Sequence, residues 1–189
     1  ALCDALIRAR ADAVWCGRAD ANAALAPLCE QLGLALLSAD PRLIGELAGL
    51  ADRSALAALA RGAGWPDALP PPDEPRRGSS RRVAIIAVAD RAGRVWTSPI
   101  ASLALSSAGV PVLAECPAPW LADDDARALR DAAARLATRL GAPGTLAIEA
   151  EVVVATGRFA LAGVCPGRCG HPAIEAVTGV DLIKLQVGL

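Results

Sequence analysis

The chain has 189 residues, a formal net charge of −1, and a composition that is 54% hydrophobic but only 3% aromatic. A nearly neutral charge excludes the basic surface that nucleic acids and anionic membranes require. No stretch has the uninterrupted apolar length of a membrane span. The length suffices for one domain, or for two small lobes, with a real core. Since Ala, Leu and Val must build that core, we expect close helix packing and an apolar cavity.

Six cysteines occur in the chain without any sign of secretion. Four of them have apolar neighbours and are predicted to behave as small buried hydrophobic residues: Cys3, Cys16, Cys29 and Cys116. The sequence therefore predicts a cytoplasmic protein with reduced thiols.

The first 66 residues alternate between helical and strand patterns. They predict helices over 1–11, 20–32 and 52–62 and from Pro41 onward, and strands over 13–16 and 34–37. This βαβα order predicts a partial N-terminal lobe with a parallel sheet and right-handed crossovers.

The next segment, 67–82, has four prolines, several charged residues and a Gly-Ser-Ser run, and it shows no periodicity. Such a composition predicts a linker that is extended in its proline half and flexible in its glycine half. We therefore divide the chain into 1–66, a linker at 67–82, and 83–189.

In the third part, 83–189, the residue patterns predict strands and one long helix. The patterns predict a hairpin of strands 83–88 and 95–97, an amphipathic helix over 123–140, and a second hairpin of strands 146–154 and 158–164. Between them, residues 98–109 carry no charge at all. The sequence thus predicts a mixed α/β protein.

Two stretches of this third part resemble a known family. His171-Pro172, Glu175 and the run from Thr178 to Lys184 resemble the end of the ATP-grasp core of biotin carboxylases, and Val112 to Pro119 resembles that family's Val-x-Glu-Glu-x-Pro-Ala-Pro. The match is loose over 11–66 and close over 82–187. It implies a truncated biotin carboxylase-like ATP-grasp core that lacks the ATP lid subdomain and has a partial N-terminal βαβα lobe.

The same resemblance implies that the family's chemistry is missing. The metal-binding Glu is Ala147 here, its partner on the next strand is Gly163, and the nearby Asn is Cys165. The linker replaces the lid, and the uncharged 98–109 replaces a run that ends in Arg-Arg-His-Gln-Lys. Because Ala, Gly and a thiol cannot replace oxygen ligands for a hard cation, we expect no ATP-dependent carboxylation and no cofactor.

We expect the old active-site cleft to be an apolar pocket between the strands of 83–112 and the hairpin of 146–164. Its predicted lining is Arg94, Trp96, Ile100, Leu103, Leu105, Ala147, Gly163 and Cys165, and the predicted catalytic residues are His171, Glu149 and Arg168. The ligand is predicted to be a hydrophobic small molecule, such as the substrate of a cofactor-free cyclisation or rearrangement in polyketide-type biosynthesis. The sequence leaves open whether the protein is an enzyme.

Several alternatives remain at this point. In one alternative the side chains collapse inward and fill the pocket. In another, Glu149 and Glu151 are not an acid–base pair and instead belong to a solvated strand face or an inserted bulge. Cys165, Cys169 and His171 have ligand types and spacing that suit zinc, although we predict no metal. The alternative function is a non-catalytic scaffold or regulatory subunit that partners an acyl-CoA carboxylase. A homodimer is expected in either case, without nucleic acid or membrane partners.

Overall fold

A computed structural model describes residues 2–15, 19–37, 41–48, 53–66, 80–141, 143–166 and 172–188. The helices are α1 Leu2–Ala9, α2 Ala19–Leu32, α3 Pro41–Ala48, α4 Arg53–Gly62, α5 Asp123–Leu140, α6 Pro172–Thr178 and α7 Leu182–Val187. The strands are β1 Ala13–Val14, β2 Ala35–Leu36, β3 Ser80–Ala89, β4 Val95–Thr97, β5 Ala101–Leu105, β6 Pro111–Glu115, β7 Gly144–Val153 and β8 Phe159–Pro166.

The N-terminal part has the predicted mixed order of helices and short strands. β1 and β2 pair in parallel, with Ala13 opposite Ala35 and Val14 opposite Leu36. The parallel sheet expected from the βαβα order is therefore confirmed, although each strand is two residues long.

A six-stranded antiparallel sheet forms the rest of the molecule, in the order β6-β5-β3-β7-β8, with β4 paired to β3. β3 and β7 share ten consecutive pairs, from Ser80–Val153 to Ala89–Gly144. Because β3 begins at Ser80, residues 80–82 of the expected linker lie in a strand. Residues 67–79, which form the remainder of that linker, lie outside the described residues.

Side chains of β3 alternate between two faces of this sheet. One face, here called the back face, carries Val83, Ile85 and Ala87, which pack against Leu129, Leu136 and other residues of α5. Trp65 closes this core, since its indole N–H donates to the carbonyl of Ala132 at 3.0 Å and its ring meets Phe159 edge to face. The N-terminal part is thus attached to the back face.

The other face, here called the front face, carries Ser80, Arg82, Ala84, Ile86 and Val88 of β3. The paired residues of β7 share this face, because strand partners point to the same side. Only the half that carries Ile86 and Val88 is apolar and covered by helices. The polar half of the front face therefore carries the candidate functional groups.

The predicted helix over 123–140 is confirmed as α5. Asp123, Asp124 and Asp125 occupy its first turn, where negative charge is favourable. Gly141 follows its last residue with φ of 63°, a left-handed conformation that suits glycine and ends the helix. Among the described helices, none is both long and apolar enough to cross a membrane.

Candidate functional site

The centre of the front face is closed by the C-terminal helices. Ile174 of α6 and Leu182 of α7 are fully buried and pack on Ile86, Val88 and Ala147 of the sheet. Ala147 is only 4% exposed. The space beside Ala147, where the sequence predicted the centre of an apolar pocket, is therefore occupied by aliphatic side chains.

Side-chain hydrogen bonds hold these two helices in place. A carboxylate oxygen of Glu175 accepts from the backbone N–H of Leu182 at 2.9 Å, and Asp181 caps α7 by accepting from the backbone N–H of Lys184 at 2.9 Å. The hydrogen bond from that N–H lowers the pKa of the Asp181 carboxyl. Glu175 and Asp181 thus position the cover over the front face.

The open half of the front face carries a small polar cluster, defined here as Ser80, Arg82, Glu149 and Glu151. The Ser80 hydroxyl donates to Glu151 at 2.6 Å, and an Nη of Arg82 donates to Glu149 at 3.2 Å. The Nε of Arg82 is buried and has no hydrogen-bond partner among the described residues. Each carboxylate of β7 is therefore hydrogen-bonded to a polar side chain of β3.

A cavity of about 460 Å³ lies next to this cluster. The last pair between β3 and β5 is Arg82 with Leu103, and the cavity lies beyond it, where the two strands have no further pairing. We call this cavity the β3–β5 cleft. It is lined by Ser80, Arg81, Arg82, Ser102, Leu103, Ala104, Leu105, Leu113, Glu115 and Glu151. Aliphatic and charged side chains thus meet in one cavity.

The wall of the β3–β5 cleft is held from the back face by Trp120. The guanidinium of Arg81 lies over the Trp120 ring, 5.2 Å from its centre, and the indole N–H donates to Ser102 at 2.9 Å. These two contacts tie β3 to β5 at the point where their backbone pairing ends.

A second cavity, of about 410 Å³, lies at the opposite end of the sheet. Its lining is largely apolar and consists of Val88, Asp90, Arg94, Val95, Trp96, Val180 and Leu185. At its rim Arg94 donates to Asp90 at 2.7 Å. Hydrogen bonds from the backbone and side chain of Arg94 lower the pKa of Asp90. This cavity lies away from the polar cluster.

The structure distributes the predicted site residues over several places. Leu103 and Leu105 line the β3–β5 cleft. Glu149 is not part of its lining but forms an ion pair with the lining residue Arg82. Arg94 and Trp96 line the second cavity. Ile100 is buried in the back-face core with α5. The eight predicted lining residues therefore do not share one pocket.

The remaining predicted residues belong to the closed centre or cannot be placed. Cys165 packs partly buried against the cluster that contains Ala147, and Gly163 lies opposite Glu149 in the β7–β8 pair. His171, Arg168 and Cys169 lie outside the described residues, so the zinc alternative is described only at Cys165. Within the described ranges, no three His, Cys, Asp or Glu side chains are grouped as a metal site.

The cysteine prediction can be followed at two positions. Cys29 is buried in α2. Cys116 is partly buried and packs against the apolar residues at the closed centre of the front face. Burial raises the pKa of both thiols. Both behave as the small hydrophobic residues that the sequence predicted.

The part of the site at the start of β3 was not predicted from the sequence. Ser80 and Arg82 were placed in a linker because of the neighbouring Gly, Ser and Pro residues. The sequence offers no clear signal for them, since the residues from Val83 to Ala89 are all apolar and buried and no alternation of apolar and polar residues extends back to Ser80.

The fold is similar to that of biotin carboxylase domains of known structure. A multifunctional pyruvate carboxylase from Rhizobium etli has a TM-score of 0.85 and 21% identity, over 98% of this chain and 17% of that chain. The biotin carboxylase complex with β,γ-ATP from Campylobacter jejuni has a TM-score of 0.83 and 15% identity, over 98% of this chain and 56% of that one.

A third neighbour is the biotin carboxylase domain dimer of the Hydrogenobacter thermophilus 2-oxoglutarate carboxylase, in complex with MgADP, ADP and bicarbonate. Its TM-score is 0.81 at 15% identity, over 98% of this chain and 55% of that chain. No protein-family model and no curated protein sequence matches the chain.

These likenesses show a biotin carboxylase-like, ATP-grasp type of fold in a shortened form. The chain spans less than a fifth of the Rhizobium protein and little more than half of the two separate biotin carboxylase domains. At these identities the likeness concerns the fold alone, and function has to be argued from the site.

Proposed function

We propose that this biotin carboxylase-like protein does not carry out ATP-dependent carboxylation and instead binds a small organic molecule in the β3–β5 cleft. The observation that supports this most is the lining of the cleft, where Leu103, Leu105 and Leu113 meet Arg82 and Glu151. Pockets for organic ligands combine a mostly apolar wall with a few placed polar groups. Because Arg81, Ser102 and Glu115 also line the cleft, the ligand has an apolar part and several polar groups.

The loss of carboxylation is supported by the centre of the front face. Magnesium needs several oxygen ligands, and the position that carries a metal-binding Glu in the family is Ala147, buried beneath Ile174 and Leu182. The chain from Pro66 to Ser80 has room for 13 residues, 67–79, where the family carries a whole lid. Two of the elements that nucleotide chemistry needs are thus replaced.

The polar cluster supports an extension of this proposal to cofactor-free cyclisation or rearrangement of the bound molecule. The aliphatic walls would hold one reactive conformer, which by itself accelerates an intramolecular reaction. Glu151 accepts a hydrogen bond from Ser80, and Glu149 pairs with Arg82. Glu151 and Glu115, which line the cleft, can accept a proton from a substrate bound there, and Glu149 lies close by through its ion pair with Arg82.

Binding can be tested with 8-anilinonaphthalene-1-sulfonate, a fluorescent molecule with an apolar body and a polar end. Leu105→Arg places a charge in the cleft wall, and Ile183→Arg is the matched control, because the two residues are 36% and 40% exposed. We expect at least about tenfold weaker binding in Leu105→Arg only, which corresponds to about 1.4 kcal/mol. Equal affinities in the two variants would remove the cleft as the ligand site.

The carboxylation half of the proposal has a separate test. Any ligand that binds the folded state raises the melting temperature, so millimolar MgATP should leave it unchanged. A clear rise in Tm with MgATP would contradict the loss of nucleotide binding and leave the cleft proposal intact.

The second candidate function is a non-catalytic homodimeric scaffold or regulatory subunit that partners an acyl-CoA carboxylase. It is supported by large exposed aliphatic residues on β6, and the Hydrogenobacter neighbour is a domain dimer. We propose a homodimer under both functions. Loss of every ligand-binding signal together with a persistent dimer would favour this second function.

A further inference from the structure

The direction of the main-chain groups of β3 follows from a pair of hydrogen bonds farther along the strand. The N–H of Ile86 donates to the hydroxyl of Ser98 at 3.0 Å, and its C=O accepts from the N–H of Ser98 at 2.8 Å. Ser98 follows β4, and β4 and β5 pair with β3 on the side opposite to β7. Because main-chain groups alternate in direction along a strand, those of Ala84 and Arg82 also point toward β5.

The main-chain groups of Leu105 point toward the same gap from the other side. The N–H of Ser106 donates to the C=O of Val110 at 2.8 Å, which places the main-chain groups of Ser106 on the β6 side of the strand. Leu105 is the neighbour of Ser106 along the chain, so its N–H and C=O point away from β6 and toward β3.

The ladder between β3 and β5 stops short of Leu105. Its last pair is Arg82 with Leu103, and the pair that would follow in register, Ser80 with Leu105, is not part of the ladder. The β3–β5 cleft lies at this point, and Leu105 lines it. Within the described strands, no ladder bond therefore uses the N–H of Leu105. The sheet holds this donor toward the cleft, with the C=O of the same residue beside it.

The charged side chains of the cleft balance one another. Its lining contains Arg81 and Arg82 together with Glu115 and Glu151, which are two positive and two negative groups. Arg82 is in addition paired with Glu149. Such a lining gives neither an anion, such as a phosphate, nor a cation an electrostatic advantage over a neutral molecule. The polar part of the ligand is therefore neutral.

Aliphatic side chains lie on both faces of the sheet at the cleft. Leu103 is opposite Arg82 and points to the front face, and Leu105, two residues farther along, shares that face. Ala104 and Leu113 are opposite each other on the back face. An extended molecule between β3 and β5 would thus meet aliphatic groups alternately on its two sides, as a strand does.

We infer that the ligand of the β3–β5 cleft is a neutral, extended molecule with a secondary amide, of the class of N-acylated amides of apolar amino acids. This inference rests on the proposed binding function and names the class of ligand. The carbonyl of the ligand accepts from the N–H of Leu105, and the ligand's own N–H donates to the C=O of Leu105, as a residue of an added strand would. Its apolar groups contact Leu103 on the front face and Leu113 on the back face.

An ester cannot replace the amide in this arrangement. It offers a carbonyl to the N–H of Leu105 but has no donor for the C=O of the same residue. A polar group that is removed from water without a partner costs binding free energy. The cleft should therefore select amides over esters of the same shape.

This selection can be measured with N-acetyl-leucine methylamide and its depsi analogue, in which an ester oxygen replaces the leucine N–H. Both are titrated into the ¹⁵N-labelled wild-type protein and followed by NMR. The amide should move the amide proton of Leu105 downfield, and the depsi analogue should bind at least about fivefold more weakly. Equal affinities for the two compounds would overturn recognition by main-chain groups and leave the cleft as a ligand site.

A pair of variants tests the same donor from the side of the protein. Leu105→Pro removes the N–H that the ladder does not use, and Leu105→Ala shortens the side chain but keeps the N–H. Leu105→Pro should bind the amide at least about fivefold more weakly than Leu105→Ala. Equal binding by the two folded variants would contradict the role of this N–H. The comparison of the two compounds on wild type needs no variant, so it decides the matter if Leu105→Pro does not fold.

Failure of this inference and failure of the proposed function give different results. If the amide does not bind at millimolar concentration while 8-anilinonaphthalene-1-sulfonate still binds and is lost in Leu105→Arg, the amide class is wrong and the binding function stands. If neither compound binds at the cleft, both are overturned.

Discussion

The two faces of the central sheet are made by the same strands but differ in the residues that they carry and in how far they are covered. On the back face Val83, Ile85 and Ala87 join α5 in one continuous apolar core. On the front face the apolar part ends at Ala84, and Arg82 and Ser80 continue the row with hydrogen-bonded polar groups. The back face therefore carries the larger apolar core, and the front face combines a smaller one with groups that can contact a ligand.

The helices that cover the two faces differ as well. α5 is an 18-residue amphipathic helix whose buried residues recur at helical spacing. α6 and α7 have seven and six residues, and they are held by the packing of Ile174 and Leu182 and by hydrogen bonds such as that of Asp181. Short helices gain most of their stability from tertiary packing. Substitutions on the two faces should thus have effects of different size.

The largest effect is expected from Ala147→Glu. This substitution introduces, at the centre of the front face, the carboxylate that the resemblance implies for this position in biotin carboxylases. Since Ala147 lies beneath Ile174 and Leu182, the new charge is buried without a partner, and we expect a loss of about 3–5 kcal/mol in the free energy of unfolding. Burial raises the pKa of such a carboxyl, so the loss should be larger at pH 8 than at pH 5. Urea denaturation measures it.

The control for that variant is Ala104→Glu on the exposed part of β5, which should change stability by less than about 0.5 kcal/mol. If Ala147→Glu were as stable as this control, the centre of the front face would be open rather than closed.

Leu136→Ala should have the next largest effect. Leu136 is fully buried between α5 and the back face, and truncation of a buried Leu costs about 2–5 kcal/mol. Leu113→Ala removes the same atoms from an exposed position and should change monomer stability by less than about 0.5 kcal/mol. Similar losses in the two variants, measured by urea denaturation at low protein concentration, would contradict the contrast between a packed core and an open edge.

Glu149→Gln should cost little stability. The Arg82–Glu149 pair is partly exposed, and such pairs contribute about 0–1 kcal/mol. A double-mutant cycle with Arg82→Gln measures the coupling between the two side chains. A coupling above about 2 kcal/mol would mean that the cluster is a structural element of the sheet, and the proposal that it serves a ligand would lose its support.

A small effect is also expected at α7. Asp181→Ala removes the cap on Lys184 and should lower Tm by roughly 2–4 °C at pH 7. Because the hydrogen bond lowers the Asp181 pKa, its stabilisation is present above the unfolded pKa of about 3.9 and disappears as pH falls through the lower folded value. The difference from wild type should therefore vanish near pH 2.

Asp181→Asn keeps an acceptor oxygen and does not titrate, so it should lie close to wild type at pH 7. If Asp181→Ala and wild type differed equally at pH 7 and pH 2, the cap would act through packing and not through the charged carboxylate.

The sequence determined the elements and the fold class, because both follow from local patterns. The spacing of Leu129 and Leu136 and the three acidic residues at its start define α5, and the apolar run from Val83 identifies a central strand. The motif from Thr178 to Lys184 indicated the biotin carboxylase-like fold. These signals depend on neighbours along the chain, so one sequence suffices to find them.

Only the tertiary structure decided where the open space lies. The sequence placed it beside Ala147, but no local pattern shows that Ile174 and Leu182, which are distant in the chain, fill it. The meeting of Arg82, Glu149 and Leu103 likewise depends on the registers of β3 with β7 and β5. Registers and helix docking are set by long-range packing, in which each contact depends on many others at once, and for that reason the site, unlike the fold, could not be predicted from the sequence.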